Sequence, residues 1–452
     1  MTDVILTILG TSVYLPFLLT LFRTHWDKHH WSRQLLLLML LLQGTAIMHI
    51  PSVMYISGVC LLVILFVYMI VERPVFHITP VFIVSLLYSS WYAISLAWSP
   101  SPQKGALFLM DNGLPLLGFA LLGCTLKLNK EEYVNLLRKG CYVGLVFIGL
   151  SIVTWLVSCY EVHAWPWQWP ILDKSHTAGN NPYKWVFRWL GGMNGYTHPS
   201  YNMLPLFAIT GYAMWLHKKH DFSAILWWLM WVGSLVLTLI IQSRMGLIFA
   251  AVELFAYAIY MQSTIRRKIV AAGIIVALCT MAIGYSMDFW RQYGNDQNRE
   301  YLTSCTWRYI QAKPWTGAGA GALNPIEICH TIGEDYWPHV GKISPDADAA
   351  IWGLKVHMLP HNQWLADASH GGVMAALCSL ALYLMVAVRC VRERRIAESV
   401  FLLVFIIFSF LEPPLYIGKG LFLFCFITGV FYAESGQSFS ISSIIRWINA
   451  RA

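Results

Sequence analysis

The sequence predicts an all-α, polytopic helical membrane protein of about 12–13 transmembrane helices, and three observations predict it. Hydrophobic residues make up 57% of the 452 residues and charged residues only 12%, about half the charged share of a soluble globular chain. The mean hydropathy is +0.56, and the apolar residues gather into runs close to the ~20 residues that a helix needs to cross the hydrocarbon core. The loops between runs share their basic residues unevenly, one side against the other. This composition excludes a disordered chain and argues against an ordinary cytosolic enzyme. The net charge of +8 reports membrane topology before any nucleic-acid partner, and none is expected.

Apolar runs lie near 4–22, 35–50, 53–71, 81–98, 106–126, 141–159, 200–216, 223–241, 246–263, 269–288, 368–388, 398–411 and 420–434. Three of these are short, so twelve spans fit as well as thirteen. The first follows only Thr2 and Asp3. It lacks a basic n-region and a small-residue cleavage site, so it reads as a retained helix. One set of loops holds Arg23, Lys28, Arg33, Arg73, Lys127, Lys130, Arg138, Lys139, Lys218, Lys219, Arg266, Arg267, Lys268, Arg389, Arg392, Arg394 and Arg395, with Arg446 and Arg451 in the tail. The short loops of the other side hold Lys104, Arg244 and Lys419. The first set is expected to be cytoplasmic, and an odd number of spans then puts the N-terminus outside.

The chain reads as one integral membrane domain, 1–452, with two long outer segments at 160–199 and 289–360. Pro, Gly and Asn break helical patterning in both. Both are rich in Trp, Tyr and His, including Trp165, Trp167, Trp169, Trp185, Trp189, Trp307, Trp315, Trp337 and Trp352. Interfacial anchoring is the ordinary use of such rings, although they also suit stacking on sugars. Of the ten cysteines, Cys60, Cys124, Cys279, Cys378 and Cys425 fall in spans and read as small packing residues. Cys305 and Cys329 share the second outer segment, where an oxidising compartment allows them to pair. No CxxC and no paired carboxylate motif is present, so no metal site and no cofactor is expected. Asp111 and Glu253 fall within spans and read as partners for buried donors.

Three features carry candidate chemistry. Arg244, in Gln242-Ser243-Arg244-Met245-Gly246, sits in a tight connection between two apolar helices. It is either a snorkelling residue at a helix end or a fixed anion ligand, because a guanidinium grips phosphate oxygens through paired donors. Arg299 and Arg308 precede Pro314-Trp315-Thr316-Gly317-Ala318-Gly319-Ala320-Gly321. Without a Gly-Lys-Ser/Thr ending these glycines are no nucleotide loop, and turn geometry is their plain reading. His361 opens Pro360-His361-Asn362-Gln363-Trp364-Leu365, where the outer segment re-enters the membrane. It is an interfacial residue or a general base, with His198, His339, His357 and His370 competing for the second role.

Taken in order, these pieces resemble the O-antigen ligase and polymerase superfamily of bacterial inner-membrane glycosyltransferases. Leu96-Ala97-Trp98-Ser99-Pro100 is similar to its early Trp-Ser motif. Arg188-Trp189-Leu190-Gly191 with Thr197-His198-Pro199-Ser200 is similar to its Arg-x-x-Gly…Asn-Pro-Asn segment, with His198 and Ser200 in place of asparagines. Ser243-Arg244-Met245-Gly246 matches Ser-Arg-x-Gly. Arg299, Pro314 and Gly317-Ala318-Gly319 resemble its Arg…Pro-x-x-Gly-x-Gly loop, and His361-Asn362, Leu365 and Gly371-Gly372 its His-Asn-x-x-Leu…Gly motif. The resemblance spans about 95–435.

That resemblance implies a GT-C-type helical fold and a metal-independent, inverting transfer on the periplasmic face of the bacterial inner membrane. The donor it implies is a glycan on undecaprenyl diphosphate. Catalytic roles fall to His361, Arg244 and Arg299, and substrate contacts to Arg188, His198, Arg308 and Asn362. The leading expectation is an O-antigen ligase with lipid A–core sugar as acceptor. An O-antigen polymerase and a protein O-oligosaccharyltransferase share the chemistry. A lipid-glycan flippase or transporter belongs to another class and would show broken helices with polar residues at mid-membrane; the expected partners otherwise are membrane lipids.

The charge asymmetry makes one direct prediction. Impermeant thiol reagents applied from outside should label single cysteines placed in 289–360 and fail to label those in 389–395. Labelling of 289–360 from the cytoplasmic side alone overturns the topology and the chemistry placed on it.

Overall fold

A computed structural model describes residues 30–48, 51–161, 199–240, 243–261, 264–267, 269–270, 273, 297–321 and 360–434. Its helices are α1 Trp31–Ala46, α2 Pro51–Glu72, α3 Pro80–Ser95, α4 Pro102–Phe108, α5 Leu114–Thr125, α6 Lys130–Glu161, α7 Pro199–Lys218, α8 Ala224–Ile240, α9 Arg244–Met261, α10 Gln297–Ala312, α11 Gln363–Glu393, α12 Ile396–Ser409 and α13 Gly418–Ala433. A π-helical turn, Leu109–Gly113, joins α4 to α5 into one span. Among the described residues there is no strand, only an isolated bridge between Leu128 and Glu434. Among the described residues, five spans are long and apolar enough to cross a membrane: Met54–Glu72, Pro80–Trp98, Pro102–Thr125, Lys130–Val153 and Gln363–Glu393. Four shorter apolar helices accompany them. The protein is an all-α polytopic membrane protein. The expected span 4–22 lies outside the described residues, and 269–288 almost wholly so.

Burial separates the helices into centre and rim. α13 is buried from Lys419 to Ala433 at nearly every position, as a helix surrounded by other helices must be. Its Phe424 packs on Tyr383 of α11 and Phe405 of α12, with ring centroids 5.4 and 5.0 Å apart. On α2, by contrast, Ile56, Val59, Val63, Phe66 and Ile70 are exposed at helical spacing while Met54, Leu61, Leu65 and Tyr68 are buried. A helix apolar on both faces, with one face uncovered, is solvated by lipid. Cys60 lies on the uncovered side, unlike the buried Cys124 and Cys425, so it is no packing residue.

Local signals set the ends. Asn129 and Glu132 cap α6 reciprocally, Asn129 N–H donating to Glu132 and Glu132 N–H to Asn129, each at 2.9 Å. Glu132 also holds Arg33 at 2.7 Å, tying α1 to α6. At the same end Arg389, 1% exposed, donates to the carbonyls of Phe431 and Glu434 at 2.7 and 3.2 Å and lies over the Phe431 ring. Arg33, Lys127, Lys130, Lys219, Arg389, Arg392, Arg394 and Arg395 of the group sorted by charge thus gather at one end of the bundle.

The opposite end is organised by a break in α11. Gly372 has φ +68° and ψ −172°, so the helical hydrogen bonds are interrupted there. The Pro314–Gly321 turn wedges into the gap. Ala318 and Gly319 N–H donate to the carbonyls of Ser369 and His370 at 2.9 and 2.7 Å, and Val373 N–H donates to the Pro314 carbonyl at 2.8 Å. Trp91 Nε1 takes the Gly371 carbonyl at 2.6 Å. From the other side Ser95 Oγ accepts from Ala320 N–H, while Ser99 Oγ and Trp98 Nε1 donate to the carbonyls of Ala320 and Thr316. Backbones approach so closely that a Cβ on Gly372 would stand 2.1 Å from the Trp315 carbonyl oxygen, and one on Gly319 2.7 Å from Ser99 Cα. The glycines do form turns, but their stronger requirement is this contact.

Two further expectations change. The helix after the second outer segment starts at Gln363 rather than near 368, because Asn362 caps it. Asp111 is exposed on the π-helical turn and is no partner for a buried donor, whereas Glu253 is buried and accepts from Thr210 Oγ1.

The junction predicts opposite outcomes for two glycine substitutions. Gly372→Ala should lower thermal stability in detergent by about 1–3 kcal/mol or more, since it adds left-handed strain to a backbone clash. Gly149→Ala, whose Cβ would meet nothing within 4 Å, should be neutral or stabilise α6 by roughly 0.5–1 kcal/mol. Tryptophan-fluorescence melting separates the two.

Candidate functional site

Phe408, near the end of α12, ties α7 and α9 to the segment that follows α12. Its ring packs on Tyr201 of α7 at 4.7 Å and on Phe249 of α9 at 5.7 Å. Its carbonyl accepts from Glu412 N–H at 2.8 Å. The first turns of α7 and α9 and the segment 410–417 are therefore brought to the same end of the bundle.

Glu412 accepts from His361, Nδ1 to Oε1 at 3.1 Å. His361 is partly exposed and Glu412 buried. Asn362 next to it is the N-cap of α11. Its Oδ1 accepts from Trp364 and Leu365 N–H at 3.0 and 3.1 Å, and its Nδ2 donates to the Phe410 carbonyl at 3.3 Å. Gln363 Oε1 accepts from Leu415 N–H at 2.8 Å. Three consecutive residues thus reach across to 410–415.

Beneath them lies a polar cluster that the sequence reading missed. Asp367 is fully buried and accepts from Tyr88 at 2.7 Å, Tyr92 at 3.1 Å and Gln363 Nε2 at 2.9 Å. Tyr92 also meets Tyr416 hydroxyl to hydroxyl. Burial, reinforced by the electrostatics of neighbouring Tyr92 and Asp367, pushes the Tyr416 phenol well above its ordinary value, so it remains neutral. The signal available in the sequence was a carboxylate six residues after His361 and two tyrosines one helical turn apart on α3.

Arg244 is the first residue of α9. Ser243 precedes it as the cap, its Oγ accepting from Gly246 N–H at 3.1 Å. A cation at a helix N-terminus opposes the macrodipole by about 0.3–1 kcal/mol, a cost that a bound anion reverses. Lys419, near the start of α13, repeats the arrangement. It is 2% exposed and donates to Asn202 Oδ1 at 2.6 Å. The reading by charge placed Lys419 on this side without assigning it a role.

α10 separates the two loop arginines. Arg308 is exposed. Nine residues, two and a half turns at 3.6 residues per turn, put position 299 on the opposite face, in register with buried Thr306 and Ile310. Cys305, on the same helix, is disulfide-bonded; Cys329 lies outside the described residues, as do Arg188, His198, His339 and His357. His370 is buried, with Nδ1 at 2.8 Å from the Ala366 carbonyl, in the helix rather than at the open end. Among the described residues no group of three His, Cys, Asp or Glu side chains is placed to hold a metal ion.

A family model described as O-antigen ligase matches residues 228–380, about a third of the chain. The matched stretch runs from α8 into α11 and contains Ser243-Arg244-Met245-Gly246, Arg299, the Pro314–Gly321 turn, His361 and Gly371-Gly372. It supports the O-antigen ligase/polymerase superfamily and a glycosyltransferase of that type. No curated protein matches the chain.

The polar cluster should be measurable through stability. Asp367→Leu strands two phenols and an amide, each costing about 1–3 kcal/mol, and should sharply lower detergent thermostability. Asp367→Asn, which keeps one carbonyl acceptor, should be milder. Equal melting of Asp367→Leu and wild type contradicts the network.

Proposed function

We propose, from the O-antigen ligase domain carried by residues 228–380, that this chain transfers a glycan from undecaprenyl diphosphate to an acceptor hydroxyl at the periplasmic face of the inner membrane. Lipid A–core sugar is the acceptor we favour. The observation that carries the reading is the His361–Glu412 pair, held by Phe408, whose carbonyl anchors Glu412 and whose ring packs on Phe249 of α9, the helix that Arg244 begins.

The chemistry follows from those residue types. The donor breaks at the bond between its anomeric carbon and the diphosphate oxygen. Negative charge grows on the diphosphate, and fixed guanidinium groups stabilise it without reorganising. Arg244 and Arg299 take that role, with Arg188 and Arg308 further contacts to substrate. The acceptor hydroxyl attacks the anomeric carbon from the opposite side, inverting it, and passes its proton to His361. His198 is the rival base. Asn362 is a further contact to substrate.

A polymerase joining lipid-linked repeats, or a protein O-oligosaccharyltransferase, would use the same groups. The break at Gly372 does not favour a transporter. A broken helix serves transport when its freed backbone groups face a cavity; here the Pro314–Gly321 turn and Trp91 take them up.

Deletion should remove the O-antigen ladder while leaving lipid A–core intact. Core bearing a single repeat would indicate a polymerase, and an unchanged ladder with an unglycosylated protein the third activity. At equal membrane expression, His361→Ala should lose about 10²–10⁴-fold in rate and retain donor binding. Arg244→Ala should lose nearly all activity and Arg244→Lys much of it, because lysine lacks the planar fork. Near-normal transfer by His361→Ala with collapse of His198→Ala moves the base to His198.

A further inference from the structure

Glu412 stands outside the matched stretch, in Leu411-Glu412-Pro413-Pro414. A buried carboxylate needs a reason, because desolvation of its charge is costly unless donors surround it. One donor is the imidazole of His361, at 3.1 Å from Nδ1 to Oε1. An ionised carboxylate only accepts hydrogen bonds, so this contact requires the imidazole proton on Nδ1. A neutral imidazole has one N–H, so Nε2 then carries the free lone pair.

The contact is built rather than incidental. His361, Asn362 and Gln363 each reach the 410–415 segment, at Glu412, the Phe410 carbonyl and Leu415 N–H. Each end is anchored in turn. Asn362 caps α11, Glu412 N–H is bonded to the Phe408 carbonyl and Tyr416 N–H to the Pro413 carbonyl. Gln363 is held by Asp367. The imidazole plane is therefore referred to two helices at once.

We propose that Glu412 is a positioning residue for glycan transfer, fixing His361 in the tautomer whose Nε2 accepts the proton of the acceptor hydroxyl. The inference rests on the reading of His361 as the base. As the hydroxyl oxygen bonds to the anomeric carbon and the diphosphate departs with the bonding pair, the hydroxyl proton passes to Nε2. The resulting imidazolium, protonated on both nitrogens, is stabilised by the Glu412 carboxylate and returns the proton to water. Glu412 touches neither sugar nor phosphate; it acts through His361.

The test is a kinetic cycle on the full-length protein in detergent or vesicles, with lipid-linked donor and core acceptor. Glu412→Ala should lower kcat about 10²-fold, inside the range a general base contributes, with the donor KM little changed. Glu412→Asp should recover most of that loss. Glu412→Gln should not, because its carboxamide can donate to Nδ1 and favour the opposite tautomer. In a His361→Ala background, Glu412→Ala should cost nothing further, since the two act as a unit. Nitrogen-15 histidine NMR of the wild type at alkaline pH, with His361 assigned by the His361→Gln difference, should show the proton on Nδ1.

Multiplying effects in the double variant, or unchanged kcat in Glu412→Ala, overturns the positioning role while leaving His361 as base. A proton on Nε2 overturns it without any variant, including where Glu412→Ala fails to accumulate. Full activity of His361→Ala instead removes the base assignment, and this inference with it.

Discussion

The end of the bundle opposite the basic one depends on one constraint: α11 must stop being a helix at Gly372 without leaving backbone groups bare. In hydrocarbon an unpaired N–H or C=O costs several kcal/mol, so a break inside a long span survives only if something fills it. The filler is another backbone. The Pro314–Gly321 turn supplies N–H groups to the carbonyls of Ser369 and His370 and accepts the freed N–H of Val373. Its far side is closed by Ser95, Trp98 and Ser99. The turn that fills the break also ends α10, so the same wedge fixes where the helix of Arg299 and Arg308 lies relative to the first turns of α11.

The two ends of the bundle are held by different physics. At the basic end, Arg33, Arg389 and Arg395 meet Glu132, Glu393 and Glu434, with Arg389 further stacked over Phe431. These three arginines are paired in place. At the other end Arg244 and Lys419 stand at helix N-termini, where the backbone adds positive potential instead of offsetting it. The Asp367 carboxyl is met by hydroxyl and amide donors. Positive potential from the helix N-termini suits an anionic visitor at that end.

The spans were legible because the apolar runs report the solvent around each helix, and lipid imposes that rule on every span. Asn362 and Gly372 were visible as letters of a pattern, and their roles as cap and break required the fold. The choice between Arg299 and Arg308 had only spacing to Pro314 behind it; helical register separates them once α10 is known to be continuous. Glu412 and Asp367 were not singled out. Their partners, His361 for one and Tyr88 with Tyr92 for the other, lie far away in sequence or across a turn. No periodicity encodes which of many distant tyrosines faces a given carboxylate. Asp111 shows the opposite error, since a carboxylate inside an apolar run reads as buried until a π-helical turn puts it outside.

Because the wedge and the broken helix are joined through main-chain atoms, the joint does not recognise the side chains at Ala318, Ser369 or His370. Those letters are free to drift under other pressures while the contact persists. Within the wedge and the broken helix the pinned positions are those where a Cβ would collide, glycines at uneven intervals, while Trp91, Ser95, Trp98 and Ser99 clasp them from beside. A chain related to this one would therefore keep the joint while sharing very few letters with it. Searches that weigh overall identity would pass over such a relative, and a pattern of spaced glycines would find it.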